Sequence, residues 1–414
     1  MPALSIIVTS YNIENYISEC LDSIANQTLW DLEIIVVDDG SSDGTTDIVR
    51  AYAERDHRIK PILMSENSIG GVSTPANLGL EAATSPYIGF ADGDDYCELD
   101  MFEKLLNAAE AGDHDLAMCK YKLLDESTGE LADPAEVNRW NDIDERSYEL
   151  DVEAKRDFLR FIAVPWRKIY KRSMIERENI RFPVGDYFYE DNPFHWFSII
   201  SAESIAVVPE VLCYHRVARA GQTMSTADER LFKIFLHHNT IRDWLSERGI
   251  EEVYRANLFA WVMSQMEWIS ERTPKELRET LFNCLRDIYS QYDAADIEAA
   301  LVAGKKGLRA KKLSDSLAKN NLAKFNQFLD GRTRSNNPFM DGLYHLRYSG
   351  VRHTAGLASQ YVGRRVSGMG NLTGRRNASE FKLDDVMFSL AVLQAQIKQI
   401  EEKLDTLVEK QDKD

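Results

Sequence analysis

The chain reads as an α/β protein: a parallel sheet built from βαβ units, followed by a helical subdomain and a C-terminal coiled coil. Three observations predict this. Apolar strand-like runs alternate with amphipathic helical spacing from Leu4 to about Tyr87, which is the pattern of βαβ units. Beyond Asp228 the spacing turns helical through about Leu301. From Leu383 onward apolar residues recur at strict three-and-four spacing, the pattern of a coiled-coil seam.

Taken in order, Leu4-Ser5-Ile6-Ile7-Val8 and Ile34-Ile35-Val36-Val37 are continuous apolar runs, as strands buried on both faces require. Between them Ile17, Leu21 and Ile24 recur at i, i+4 and i+7, giving a helix one apolar face to lay on the sheet. Gly40 to Thr45 is a loop, and a helix is expected from Thr46 or Asp47. A further strand runs through Tyr87 to Asp92. From about 100 to 225 the order is less regular, with apolar pieces at Leu116–Cys119, Phe158–Val164 and Ile199–Leu212. The helical stretch carries Phe232, Phe235, Trp244, Trp261, Met266 and Trp268, expected as core. In the last segment Leu383, Leu390, Ile397 and Leu404 interleave with Val386, Leu393, Ile400 and Leu407. That narrow seam predicts a homo-oligomer through 381–414.

With 414 residues, 44% of them hydrophobic and 28% charged, the chain has the composition of an ordinary globular protein with room for about two to three domains. No apolar run reaches the roughly 18 residues that span a bilayer, and no signal peptide is evident, so a cytoplasmic location is expected. Five scattered cysteines without a Cys-x-x-Cys pair point to neither a zinc site nor a disulfide framework. The net charge of −18 argues against a nucleic-acid partner. Residues 301–380 are the exception, with 15 Lys and Arg against 4 Asp and Glu. There Ala318, Leu322, Phe325 and Leu329 follow a basic run at helical spacing, so peripheral contact with the inner face of the plasma membrane is one expectation. A linker that packs its apolar side on the preceding domain is the other.

The strand Tyr87-Ile88-Gly89-Phe90-Ala91-Asp92-Gly93-Asp94-Asp95 puts several carboxylates at one strand tip. Carboxylate oxygens suit Mg²⁺ or Mn²⁺, and such ions are bound by one or two protein carboxylates together with substrate phosphates. The ligand implied is a nucleotide diphosphate, and Gly93 is expected to let the backbone approach it. A solvated acidic turn is the alternative reading of the same residues. In open α/β sheets ligands sit beyond the carboxyl ends of the strands, where Thr9, Tyr11, Asp38, Asp39 and the Asp92 cluster all fall.

Ser5 to Asn12, Val37 to Thr45, Asn77-Leu78-Gly79, Asp92-Gly93-Asp94-Asp95 and Tyr189-Glu190-Asp191-Asn192 together resemble a family 2 inverting glycosyltransferase of the GT-A fold, of the type that builds bacterial surface polysaccharides. The resemblance covers roughly 1–225. It implies a catalytic domain there, with a helical subdomain at 226–300, a basic segment at 301–380 and the oligomerisation helix at 381–414. It implies transfer of a sugar from a UDP-sugar to a glycan or lipid-linked acceptor, with a divalent metal, Mn²⁺ or Mg²⁺. Thr9, Tyr11 and Asp39 would hold the nucleotide base, and an aspartate can accept the imide N–H of uracil. Asp38 and Asp43 could equally cap the following helix. Asn77, Asp92 and Asp95 would complete the nucleotide-sugar site. Asp94 matches the metal-binding aspartate, and His215 would be a second metal ligand or a structural histidine.

Inverting transfer needs a base opposite the leaving diphosphate, and the resemblance assigns that role to Asp191 with Glu190 beside it. Arg216, Arg219 and Ser225 would screen the diphosphate. Pro165-Trp166-Arg167-Lys168 resembles an acceptor-side segment, with Trp166 and Arg167 as its contacts. The pattern is not complete: Pro75-Ala76 precede Asn77 where the family often has an arginine, and Ala91 and Gly93 replace bulkier or hydroxylated residues. A nucleotidyltransferase and a catalytically inactive scaffold are the alternatives. The first leaves Glu190-Asp191 without a task, and the second leaves the whole carboxylate set without one.

Overall fold

A computed structural model of the chain describes residues 2–143, 146–219 and 228–330. The sheet-bearing half is built from β1 (Leu4–Ser10), α1 (Ile17–Ala25), β2 (Leu32–Asp38), α2 (Thr45–Arg55), β3 (Ile59–Leu63), α3 (Ser73–Ala82), β4 (Tyr87–Asp92), β5 (Tyr96–Cys97), α4 (Met101–Glu110), β6 (Leu116–Asp125), β7 (Leu131–Ala132), β8 (Ser147–Glu149), α5 (Val152–Phe158), β9 (Lys168–Lys171), α6 (Arg172–Arg177), α7 (Asp191–Ser201) and β10 (Ser204–Val217). The sheet runs β3-β2-β1-β4-β9-β6-β10-β5, with β7 on β6 and β8 on β10. Its first four strands are parallel, as the βαβ reading requires. β9 is inserted antiparallel between β4 and β6, which makes the sheet mixed. The less regular stretch after residue 100 therefore carries the second half of the same sheet.

Both faces of the sheet are covered, which explains the uninterrupted apolar strands. Ile6, Val8, Ile34 and Val36 pack with Ile17, Leu21 and Ile24 of α1 and with Phe102 and Leu105 of α4. Ile7, Ile35 and Val37 point the other way, onto Ala76 and Leu80 of α3 and Phe194 and Trp196 of α7. Register sets the site, because Ser10 lies opposite Asp38 and Thr9 opposite Asp92, so the carboxyl ends of β1, β2 and β4 finish level.

The helices α8 (Leu236–Glu247), α9 (Glu251–Arg272), α10 (Arg278–Tyr289), α11 (Ala294–Ala303), α12 (Leu308–Ala318) and α13 (Leu322–Leu329) follow. They share one continuous apolar core with the α7 face of the sheet. The three tryptophans of this region are packed: Trp244 stacks on Phe197, Trp268 meets Tyr189 edge-on, and Trp261 is almost wholly buried. Within the described part of the basic stretch, 305–330 form two helices rather than one, broken at Asn320, whose φ is +49°. Phe325 is fully buried edge-on against Phe282, and Lys306, Arg309 and Lys311 pair with Glu267, Glu271 and Glu298. Leu322, Phe325 and Leu329 thus pack on the helical core, whereas Ala318 is exposed. Among the described residues no helix is long and apolar enough to cross a membrane. The proposed coiled coil at 381–414 and Ser225 lie outside the described residues.

Candidate active site

The strand-tip cluster is assembled by two pairings from distant parts of the chain. β4 ends at Asp92, the chain turns with the Asp95 N–H donating to the Asp92 carbonyl at 3.0 Å, and β5 begins. β5 then pairs antiparallel with β10, placing Tyr96 opposite Tyr214 and stacking their rings 4.7 Å apart. The next residue of β10, His215, therefore lands beside Asp95, with Nδ1 and the Asp95 Oδ2 2.7 Å apart. The other oxygen of Asp95 accepts the Arg216 backbone N–H at 2.8 Å. One donor atom each from Asp92, Asp95 and His215 lies within 4.8 Å of the others.

Asp94 is turned to a different partner, the Nε of Arg219. Gly93 approaches protein, not an open ligand site: a Cβ there would sit 2.6 Å from Ile13 Cδ1 and 2.8 Å from the Thr9 carbonyl. Its glycine is thus required by close packing against β1. The Arg216 guanidinium is held by Glu19 and Glu126 and lies over the rings of Tyr16 and Tyr96. Ala218, between the two arginines, sits at φ +63°, a region sparsely used by residues with a Cβ and most often strained at functional sites.

The electrostatics of the cluster are those of crowded carboxylates. Burial, then the charges of Asp95 and Asp94, push the Asp92 carboxyl well above the ordinary range, and Asp191 adds to the same push. Burial also raises Asp95, partly offset by His215. For His215 burial opposes the charge, but Asp95, Asp92 and Asp94 outweigh it and lift the pKa to about 9. Two carboxylates and an imidazole converging in a partly desolvated site fit a divalent ion that takes both oxygen and nitrogen, and the charge of such an ion would relieve the same repulsion.

The second carboxylate pair stands at the start of α7. Tyr189, at φ +68°, turns the chain into it. Pro193 falls in the first helical turn, where its missing N–H leaves nothing unsatisfied. Glu190 is buried to 2% exposure, and its Oε1 accepts the Gly71 N–H at 2.9 Å. Burial, helped by the Asp191 charge, raises Glu190 to about 7. Burial raises Asp191 to about 7 as well, against the opposing pull of Lys168 and the Asn192 amide. Among the influences on Asp92 the Asp191 charge comes last, after burial, Asp95, Asp94 and His215.

The remaining expected residues divide. Tyr11 is 46% exposed at the end of β1 and free to meet a planar ligand. Asp39 is buried, accepting from the Ser68 N–H at 2.9 Å, Ser68 Oγ at 2.8 Å and Asn67 Nδ2 at 3.0 Å. Asp38 and Asp43 are taken by local bonds, the first from Ser41 and Thr46 and the second from the Thr45 N–H. Asn77 does not face a ligand: its amide exchanges two bonds with the Phe182 backbone, at 2.8 and 2.9 Å. The acceptor-side expectation for Arg167 is likewise not met, because the side chain is fully buried in an ion pair with Glu136. Trp166 is buried too, stacked 5.3 Å from His215 as a wall of the strand-tip cluster.

Sequence reasoning missed Gly71, Lys168, Asn192 and Trp261 as supports of the carboxylate pair. The double glycine Gly70-Gly71 was a usable signal of a close backbone approach.

Comparison with known proteins bears on the family and the fold. A family model described as Glycosyl transferase family 2 matches residues 5–178. The protein named "Putative glycosyltransferase EpsH" of Bacillus subtilis (strain 168) is 35% identical over 268 residues, covering 63% of this chain and 74% of EpsH. The uncharacterized glycosyltransferase EpsJ of the same strain is 37% identical over 217 residues, covering 52% of this chain and only 61% of EpsJ. The chain belongs to glycosyl transferase family 2. Its fold is that of the Staphylococcus aureus TarS fragment 1–349, solved with UDP-GlcNAc: TM-score 0.65 at 22% identity, over 80% of this chain and 91% of that one.

Proposed function

We propose that the protein is an inverting, metal-dependent glycosyltransferase. It moves a sugar from a UDP-sugar to a hydroxyl of a glycan or lipid-linked acceptor, in the synthesis of a bacterial surface polysaccharide. The observation that carries this reading is the strand-tip cluster, in which one donor atom each from Asp92, Asp95 and His215 lies within 4.8 Å of the others; the Glu190-Asp191 pair at the start of α7 supplies the candidate base.

In this reading Tyr11 and Thr9 border the base, Asp39 accepts the imide N–H, and Asp92 lies by the ribose and first phosphate. Asp94, Asp95 and His215 are the candidate metal ligands, with Asp92 alongside. A bound Mn²⁺ or Mg²⁺ would supply a positive charge against the diphosphate as it departs. Asp191, with a pKa of about 7, is matched to take the proton of the acceptor hydroxyl as the C–O bond forms at the anomeric carbon. Glu190 beside it orients the acceptor or the base. Arg219, paired with Asp94, would turn to the diphosphate when donor binds.

The test is a screen of UDP-sugars with Mn²⁺ for slow release of UDP. Release from one donor names the sugar, and release from none, with no binding of UDP, removes the reading. Liposome flotation of the full chain, with and without anionic lipid, tests membrane attachment, for which the cations of 331–380 are the support.

A further inference from the structure

One short loop, 66–71, runs between the two ends of the site, and its ties go to one end or the other. At its start it wraps the Asp39 carboxylate through Asn67 Nδ2, the Ser68 N–H and Ser68 Oγ. At its end the Gly71 N–H holds Glu190. Between these ties Gly70 has φ +89°, and a Cβ there would lie 2.1 Å from the Gly185 carbonyl oxygen, so the loop is pressed against the segment leading into Glu190. A Cβ on Gly71 would lie 2.8 Å from both Glu190 oxygens. Backbone alone fits in either place. An ionised carboxylate offers about four acceptor positions, and the loop takes three of those on Asp39, two on Oδ2 and one on Oδ1. One position, on Oδ1, is left for an incoming N–H.

We propose that loop 66–71 couples recognition of the nucleotide base to the catalytic carboxylates. Gly71 is a positioning residue that fixes Glu190 through its N–H, and an imide N–H that takes the open Oδ1 position shares that oxygen with the Ser68 N–H, shifting the loop and with it the Gly71–Glu190 bond. This rests on the roles given above to Asp39, Glu190 and Asp191. It makes a uracil base a condition for setting the acceptor side, beyond its share of donor affinity. The groups that face Glu190 are Asp191 beside it and Tyr187 on the preceding segment.

The experiment uses the full chain with ¹⁵N-glycine labelling, the Gly71 amide signal being identified by its loss in Gly71→Ala. In the unmodified protein that signal is expected to titrate with a midpoint near 7, following Glu190, and to stop doing so in Glu190→Gln. UDP with Mn²⁺ is expected to move the signal and its midpoint, while CDP, which has no imide N–H, leaves both in place. In Ser68→Ala, UDP still binds by calorimetry within a few-fold, but the response at Gly71 is lost. UDP binding that leaves Gly71 unmoved, or a Ser68→Ala protein that responds like the unmodified one, overturns the coupling alone. A Gly71 signal indifferent to Glu190→Gln overturns the positioning role. Absence of UDP binding in the unmodified protein overturns the donor reading and the coupling together.

Discussion

The indole Nε1 of Trp261 donates to the Asn192 side-chain oxygen at 3.0 Å, across the contact between α9 and α7. Asn192 in turn donates to the Tyr189 carbonyl at 2.9 Å and, at 3.3 Å, to Asp191 Oδ1. The helical region is therefore tied to the proposed base through a single amide, and Asn192 can keep its NH₂ toward Asp191 only while its oxygen has a donor.

Trp261→Phe removes that donor and little apolar surface. The net value of a neutral hydrogen bond is about 0.5–1.5 kcal/mol, so turnover is expected to fall roughly two- to tenfold with UDP affinity unchanged. Steady-state kinetics beside calorimetry check this. A fall in UDP affinity instead would place Trp261 on the donor side.

Asp191→Asn keeps the shape and removes the base. Transfer is expected to drop by about 10²–10⁴, the usual worth of general-base catalysis, while UDP and Mn²⁺ still bind. Retained transfer in this variant would remove Asp191 from its role.

The turnover of the unmodified enzyme is expected to rise with pH through an apparent pKa near 7, the value to which both Glu190 and Asp191 are raised. The limb belongs to the coupled pair, not to one residue. The sign for stability is opposite. Carboxyl groups whose folded pKa is raised bind protons more tightly when folded, so their ionisation destabilises the fold progressively as pH climbs from the unfolded carboxyl range toward 7. Glu190→Gln should flatten that part of the stability profile, as followed by urea midpoints against pH.

Asp95→Asn and His215→Ala are each expected to weaken Mn²⁺-dependent UDP binding at least tenfold, because their donor atoms meet in one cluster. Asp94→Asn tests whether Arg219 leaves its carboxylate when donor and metal bind. Loss of metal-dependent UDP binding is the expected result, and undiminished binding would confine Asp94 to its arginine.

Glu136→Gln breaks a wholly buried ion pair and strands the Arg167 charge. Removing one partner of such a pair costs about 3–5 kcal/mol, so a marked loss of stability in denaturant is expected. A change under 1 kcal/mol would mean that the pair is open to water.

Much of this was readable from residue order. Continuous apolar runs at Leu4 and Ile34 mark strands buried on both faces, and the acidic cluster directly after the apolar run ending at Phe90 marks the point where that strand leaves the core. What stayed hidden was pairing at a distance. β9 inserts antiparallel between β4 and β6 through only three matched residues on each side, too short a signal to stand out from a linear pattern. The occupations of Asn77 and Arg167 were hidden for a related reason: a polar side chain looks the same in sequence whether it meets a ligand or a backbone far along the chain. His215 was placed by its resemblance, and the β5–β10 pairing gives the physical reason it meets Asp95.

The insertion of β9 also bears on how the molecule must be made. Until residues 168–171 arrive, β4 has hydrogen-bonding groups on its outer side with no strand to take them, and an uncovered edge beside an apolar face invites pairing with another chain. A nascent or truncated nucleotide half would accordingly be sticky, and synthesis must run well past it before the sheet can close over its own seam.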